Sequence, residues 1–241
     1  FKMAEAIKID TLDIEFKDEV LAKVPDANFD LCLTCGTCTG GCAASELFDM
    51  DPRKLIRMLN LGMDEEILKS NWTWVCSMCG RCLSACPMKI NVPALIYNIR
   101  ASVPREKRPK GILGSCDQHI RTGSAMGAAK DDFEFTVLDV AEEIREDHPG
   151  FEDLQVSVDR VGATMVVNQN SREPVTEPEE MGPLWKVLHM VGADWTYPSV
   201  MWAGENYCMF MADNEGWKYI IEEFVHHVDN NLKSPLVVNT E

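Results

Sequence analysis

Eight of the ten cysteines fall into two runs of identical spacing. "LCLTCGTCTGGC" carries Cys32, Cys35, Cys38 and Cys42, and "VCSMCGRCLSACP" carries Cys76, Cys79, Cys82 and Cys86. Both read C-x2-C-x2-C-x3-C. Thiolates form disulfides or act as soft metal ligands, and three chemistries compete for such runs. Disulfides need an oxidising compartment and give no reason for a duplicated spacing. Zinc usually takes two C-x2-C pairs from separate segments; each run here carries three cysteines at two-residue intervals and a fourth beyond. An iron–sulfur cubane uses each run without remainder. C-x2-C-x2-C wraps a peptide turn so that three thiolates meet three irons, and the fourth cysteine lies past the turn.

In two-cluster ferredoxins that fourth cysteine ligates the other cluster. Carried over, Cys32, Cys35, Cys38 and Cys86 hold one [4Fe-4S] cluster, and Cys76, Cys79, Cys82 and Cys42 hold a second. The expected cofactors are therefore two [4Fe-4S] clusters, with crossed ligands tying the motifs together. Motif two leaves through Cys86-Pro87, whereas motif one leaves through Cys42-Ala43. A proline there shapes the exit of the turn and is not a ligand.

The elements that must position these thiols are helical. In "DMDPRKLIRMLNLG", Asp51 is a cap, Pro52 suits the first turn, Leu55, Met58 and Leu59 share a face, and Gly62 ends the helix. A second helix starts at Asp64, with Glu65 and Glu66 in its dipole-favoured first turn. After motif two, "NVPALIYNIRASV" turns Val92, Leu95, Ile96 and Ile99 inward. "PREKRPKG" is a basic linker, and 112–130 has no clear assignment. The last third alternates: strand "ATMVVNQN", helix "EPEEMGPLWKVLHMVG", strand "ADWTYPS", helix "DNEGWKYIIEEFVHHVDNN" and strand "SPLVVNTE". In the last helix Trp217, Ile220, Ile221, Phe224 and Val225 lie along one side. This β-α-β-α-β order implies a parallel sheet. The apolar strands "ATMVV" and "PLVVN" lack polar alternation, so both sheet faces should be covered. The fold class expected is mixed: an N-terminal arm (1–30), an α-helical two-cluster domain (31–103), a linker and acidic segment (104–160), and a small α/β unit with a parallel sheet (161–241).

Between Cys42 and Cys76 lie 33 residues, room for two helices. This resembles the α-helical ferredoxin domain of the succinate dehydrogenase iron–sulfur subunit and of the heterodisulfide reductase small subunit. The plant-type C-x4-C-x2-C signature of the former is absent, which moves the resemblance to the heterodisulfide reductase side. The stretch "GADWTYPSVMWAGENYCMFMADNEGWKYI" resembles the opening part of the cysteine-rich module in fused heterodisulfide reductase catalytic subunits. Sulfite-reduction membrane-complex subunits and redox-complex subunits of sulfate reducers share that module. It usually runs on into CCG motifs that hold a further iron–sulfur centre, and no Cys-Cys-Gly occurs in these residues. The resemblance implies an electron-transfer subunit of a multi-subunit oxidoreductase, with no catalytic residues of its own. The expected partners are a flavoprotein, a cytochrome or heterodisulfide reductase-like subunits. The alternative is the N-terminal part of a catalytic heterodisulfide or thiol reductase whose CCG site follows Glu241.

A net charge of −16 argues against nucleic acid and anionic lipid as partners. From Asp131 to Asp159 eleven acidic residues face one basic residue, Arg145; the segment reads as a solvated connector or as a docking face for a basic redox partner. With no secretory h-region and no apolar run of membrane-spanning length, the expected location is the cytoplasm, or the inner membrane face through partners. Disulfides are then not expected. Cys116 and Cys208 read as ordinary small buried residues, and a Cys116–His119 metal pair is set aside. His226 and His227 read as surface residues. Trp72 and Trp74 are expected to pack over the adjacent cluster. Glu177, Glu179 and Glu180 read as the first turn of a helix.

Overall fold

A computed structural model of the chain describes residues 12–240 apart from residue 14. Residues 1–11 of the expected N-terminal arm, and Glu241 after the last strand, lie outside the described residues. The chain divides into two compact units. Unit 1 takes residues up to Pro109 together with Phe210–Ala212, and unit 2 takes Lys110–Met209 and Asp213 onward.

Unit 1 is helical: α1 (Phe16–Lys23), α2 (Thr37–Gly40), α3 (Pro52–Leu61), α4 (Asp64–Lys69), α5 (Trp72–Val75), α6 (Arg81–Ala85) and α7 (Val92–Ser102). The cap of α3 is as the sequence predicts. Asp51 accepts from Lys54 N–H at 2.9 Å, Pro52 opens the helix, and Gly62 closes it at φ 70°, a left-handed position that glycine occupies without a Cβ clash. Leu55, Ile56 and Leu59 of α3 and Val92, Leu95, Ile96 and Ile99 of α7 are buried in one core with Phe29 and Trp72. Cys32, Cys42, Cys76, Cys82 and Cys86 pack against that core.

In unit 2, α8 (Lys110–Thr122) and α9 (Lys130–Asp147) precede strand β1 (Met165–Asn168); α10 (Arg172–Thr176) and α11 (Gly182–Met190) lead to β2 (Trp195–Thr196). The stretch α12 (Tyr207–Phe210), α13 (Asn214–His226) and a π turn (His227–Leu232) leads to β3 (Leu236–Asn239). The sheet is parallel, as expected, in the order β2-β1-β3. Met165 pairs with Trp195 on one side and with Leu236 on the other.

Three expectations are corrected. Within 104–160, expected as a linker and acidic segment with 112–130 unassigned, Lys110–Thr122 and Lys130–Asp147 form α8 and α9. The acidic run sits on a helix because Phe133, Val137, Val140, Ala141 and Ile144 recur at helical spacing and are buried. β1 is buried, but β3 is not covered on both faces: Leu236, Val237 and Val238 are all exposed, as an edge strand allows. On α13, Ile220 is buried whereas Ile221 and Val225 are exposed.

Unit 2 packs around aromatic rings. Phe133 stacks on Trp202 with centroids 4.2 Å apart, and Tyr197 meets Phe133 and Trp195 edge-on. The Tyr197 hydroxyl accepts from Trp185 Nε1 at 2.8 Å and donates to Gln169 Oε1, so the buried phenol is satisfied at both roles.

Candidate metal centre

The two cysteine runs fold alike. In motif one Thr34 and Gly36 take positive φ (54° and 81°), and in motif two Met78 and Gly80 do the same (54° and 77°). Each run therefore turns twice through left-handed backbone before its short helix, α2 or α6, which turns the chain between successive thiols. Thr34 and Met78 carry a Cβ in that conformation, and glycine at 36 and 80 avoids the same strain at the second turn. The chain reaches Cys32 from a helical turn whose Phe29 carbonyl accepts Cys32 N–H, and Cys76 from α5 through the Trp72 carbonyl in the same way. Helices α2 and α6 pack together. Arg81 lies so close to Gly41 that a Cβ there would meet Arg81 Nε at 2.8 Å.

All eight motif cysteines are free thiols, half-buried or exposed. They line two recesses. Cys32, Cys35, Cys38 and Cys86 line the first, with Arg53, Ile56 and Pro87. Cys42, Cys76 and Cys79 line the second, with Trp72 and Arg81. Cys82 borders both. The fourth cysteine of each run thus lies with the first three of the other run. Among the described residues no three His, Cys, Asp or Glu side chains converge on a single ion; the thiols are spread round the recess walls.

Thiol electrostatics follow burial and hydrogen bonding. Cys35 is held below the ordinary thiol range by the Thr37 hydroxyl, 3.4 Å from its Sγ, and by Thr37 N–H. The Arg81 backbone N–H does the same for Cys79. Burial raises Cys38 and pushes Cys82 up to about 11. Burial also raises Cys76, against the Met78 N–H and the Arg100 charge. Iron binds the deprotonated forms, so the outer thiols enter readily and the inner ones lose their protons to the metal. Eight thiols in fourfold sets, N–H and O–H donors aimed at sulfur, and an apolar core behind them fit a pair of cubanes.

Several functional contacts were not read from the sequence. Trp72 is fully buried, lines the second recess as expected, and donates from Nε1 to Ala44 O at 2.7 Å. Trp74 instead lies 5.6 Å from the Arg100 guanidinium. Arg100 is itself fully buried. Its signal was present: 100 follows 96 by one helical turn on the inward face of α7. The Thr39 hydroxyl, next to Cys38, donates to Asp51 at 2.9 Å.

Outside the recesses, two readings are corrected. Cys116 and Cys208 are buried as expected but are bonded to each other as a disulfide, across 92 residues of sequence. That bond rules out the Cys116–His119 metal pair. His119 is buried with both ring nitrogens unbonded, and burial lowers its pKa to about 4. His227 is not a surface residue. It is buried, with Nε2 2.8 Å from Asp159 Oδ1, because the π turn rotates it inward. Glu177, Glu179 and Glu180 do lie around a helical turn (Pro178–Met181), one residue of it preceding the turn.

Residues 31–91 match the 4Fe-4S dicluster domain family. The chain therefore carries two [4Fe-4S] clusters, and it is similar to iron–sulfur subunits of heterodisulfide reductases. Over 86 residues it is 33% identical to a subunit of the H(2):CoB-CoM heterodisulfide,ferredoxin reductase of Methanothermobacter marburgensis, a match that covers 36% of this chain and 46% of that one. It is 24% identical over 164 residues to an iron–sulfur subunit of the CoB–CoM heterodisulfide reductase of Methanopyrus kandleri, covering 68% and 76%. A third relative, an iron–sulfur subunit of the CoB–CoM heterodisulfide reductase of Methanocaldococcus jannaschii, is 31% identical over 101 residues, 39% of this chain and 54% of that one. The chain spans about half the length of most of these relatives. No helix among the described residues is long and apolar enough to cross a membrane.

Proposed function

We propose that this chain relays single electrons through two clusters between redox partners of a heterodisulfide reductase-like complex. Cys32, Cys35, Cys38 and Cys86 hold one cluster, and Cys76, Cys79, Cys82 and Cys42 the other, within the helical domain 31–103. The single observation that carries the ligand assignment is the exchange of fourth cysteines: Cys86 borders the first recess and Cys42 the second. When bound, a [4Fe-4S] cluster supplies reversible one-electron transfer.

The chain's residues do the rest. The thiolates bind, and Trp72 and the apolar core exclude water from the second recess. N–H and O–H donors stabilise sulfur charge. The acidic face of α9 steers a basic partner, and the exposed apolar strand β3 suits a chain that works inside an assembly. The partners are a flavoprotein, a cytochrome or further heterodisulfide reductase-like subunits.

Anaerobically prepared protein is expected to hold about eight irons and eight labile sulfides per chain. Cys86→Ser is expected to alter the electron-paramagnetic-resonance signal that Cys35→Ser alters. A Cys86→Ser spectrum matching that of Cys79→Ser would refute the crossing. About four irons per chain would refute the two-cluster relay.

A further inference from the structure

A buried cation stands behind motif two. Arg100 has none of its surface exposed, and all three of its hydrogen bonds go to backbone carbonyls. Nε donates to Thr73 O at 2.8 Å, Nη1 to Phe210 O at 2.8 Å and Nη2 to Cys76 O at 2.5 Å. The guanidinium also lies 4.0 Å from the centroid of the Phe210 ring. A guanidinium stays protonated at neutral pH. Its carbonyl partners solvate the charge without neutralising it.

Motif one has the opposite neighbour. Asp51 is 5% exposed. Its Oδ1 accepts from the Thr39 hydroxyl and from Lys54 N–H, both at 2.9 Å. Thr39 follows Cys38 directly, so the carboxylate is one hydroxyl removed from the cluster loop. Arg53 approaches Gly36 on the same motif, but its side chain is exposed, and solvent screens it.

Reduction adds one negative charge to a cubane. A buried cation beside one cluster loop favours that charge, and a buried carboxylate behind the other opposes it; low local dielectric strengthens both effects. We infer that Arg100 and Asp51 build a potential step into the chain, making the motif-two cluster the more easily reduced of the pair and the natural exit for electrons entering at motif one. The transfer moves one electron from the reduced cluster to the oxidised one, and no bond forms or breaks. Arg100 is a positioning residue here, acting on the cluster through the Cys76 loop. The inference rests on the two-cluster reading.

The test is a redox titration of the full, cluster-loaded chain, followed by electron paramagnetic resonance, with signals assigned by Cys35→Ser and Cys79→Ser. Two separate midpoints are expected in the unaltered chain, with the motif-two signal the higher. Arg100→Gln is expected to lower the motif-two midpoint alone, cutting its reduced-to-oxidised ratio about tenfold at the original midpoint. Arg100→Lys keeps the charge and is expected to hold that midpoint near the original. Asp51→Asn keeps an acceptor for the α3 cap and is expected to raise the motif-one midpoint, and by more than it moves the motif-two midpoint. The step is overturned if the unaltered midpoints coincide or are reversed, if Arg100→Lys moves the signal as far as Arg100→Gln, or if Asp51→Asn leaves motif one unmoved. Should Arg100→Gln fail to load, the Lys and Asn variants still decide. Iron content measured beforehand separates failure of the two-cluster reading, at about four irons, from failure of the step at about eight.

Discussion

Unit 1 holds eight free thiols, none of them fully buried, with an apolar core at their backs, whereas the two thiols of unit 2 are buried and joined to each other. The same residue type thus follows two physical rules in one chain. Spaced by two residues on left-handed turns, cysteines present sulfur to a shared centre. Brought together from helices far apart in sequence, they close a loop. The two units consequently depend on different conditions: unit 1 on metal, unit 2 on oxidation and on its aromatic packing.

The largest effect expected is from iron removal. The segments 32–42 and 76–86 hold only the short helices α2 and α6, and the clusters bridge segments distant in sequence. Metal binding in such domains contributes on the order of 10 kcal/mol. Hydrogen exchange on the intact chain, before and after anaerobic chelation, is expected to show loss of protection across 31–91 and none across 165–196. Equal loss in both would break the division into metal-held and metal-free units.

Reduction of the disulfide is the converse experiment. Its loop of 92 residues restricts the unfolded chain, and its loss is expected to lower the stability of unit 2 by about 3–4 kcal/mol. Cys208→Ser measured by thermal unfolding under anaerobic conditions checks this, with the iron content of unit 1 unchanged. A melting curve for unit 2 indifferent to the substitution would show that Cys116 and Cys208 remain thiols in the working protein.

These differences explain what could be read from the sequence. The cysteine motifs were legible because their spacing is local, and the cap Asp51, the stop Gly62 and the inward stripe of α7 were legible for the same reason. The parallel sheet followed from the alternation of apolar runs and helices. The Cys116–Cys208 pairing was not legible, since 92 residues separate the partners and no local pattern marks either. Nor was the burial of His227, which depends on a π turn, or the exposure of β3, which depends on its place at the sheet edge. Arg100 falls on the inward stripe of α7, but its carbonyl partners come from Thr73, Cys76 and Phe210, the last from a distant part of the chain.

The next effect in size concerns acid. His119 in unit 2 is buried without a hydrogen-bond partner and lies 3.9 Å from Glu205 Oε2. Burial depresses its pKa from an ordinary 6.5 to about 4. Between those values the unfolded chain binds a proton that the folded chain refuses, so stability falls as pH falls through that window. The contribution reaches about 2 kcal/mol near pH 5. Burial raises Glu205 and acts in the opposite sense, despite donors from Ala125 and Ser171. The informative quantity is therefore the difference between the unaltered chain and His119→Leu. Urea unfolding of unit 2 at pH 7 and pH 5 is expected to show a shallower acid loss in the variant, and parallel curves would remove His119 from the account.

The smallest effect expected is the one that separates the units most finely. Gly80 precedes α6 at φ 77°, and Gly192 follows α11 at φ 63°. A Cβ at either position would meet nothing within 4 Å. Alanine at each therefore costs only backbone strain, about 1 kcal/mol. In unit 2 that strain is absorbed as stability alone, because no ligand geometry depends on Gly192. In unit 1 it falls between Cys79 and Cys82, where the turn sets the spacing of two ligands. Gly80→Ala is expected to lower iron retention under mild chelation and to shift the motif-two spectrum, while Gly192→Ala leaves both unchanged at a similar loss of unit stability. Gly36→Ala, at φ 81° and with only the flexible end of Arg53 as close as 3.4 Å to its Cβ, is expected to do the same to motif one. If Gly80→Ala kept its iron as firmly as Gly192→Ala, the left-handed turns would be incidental to ligation, and the spacing of the cysteines alone would suffice to place them.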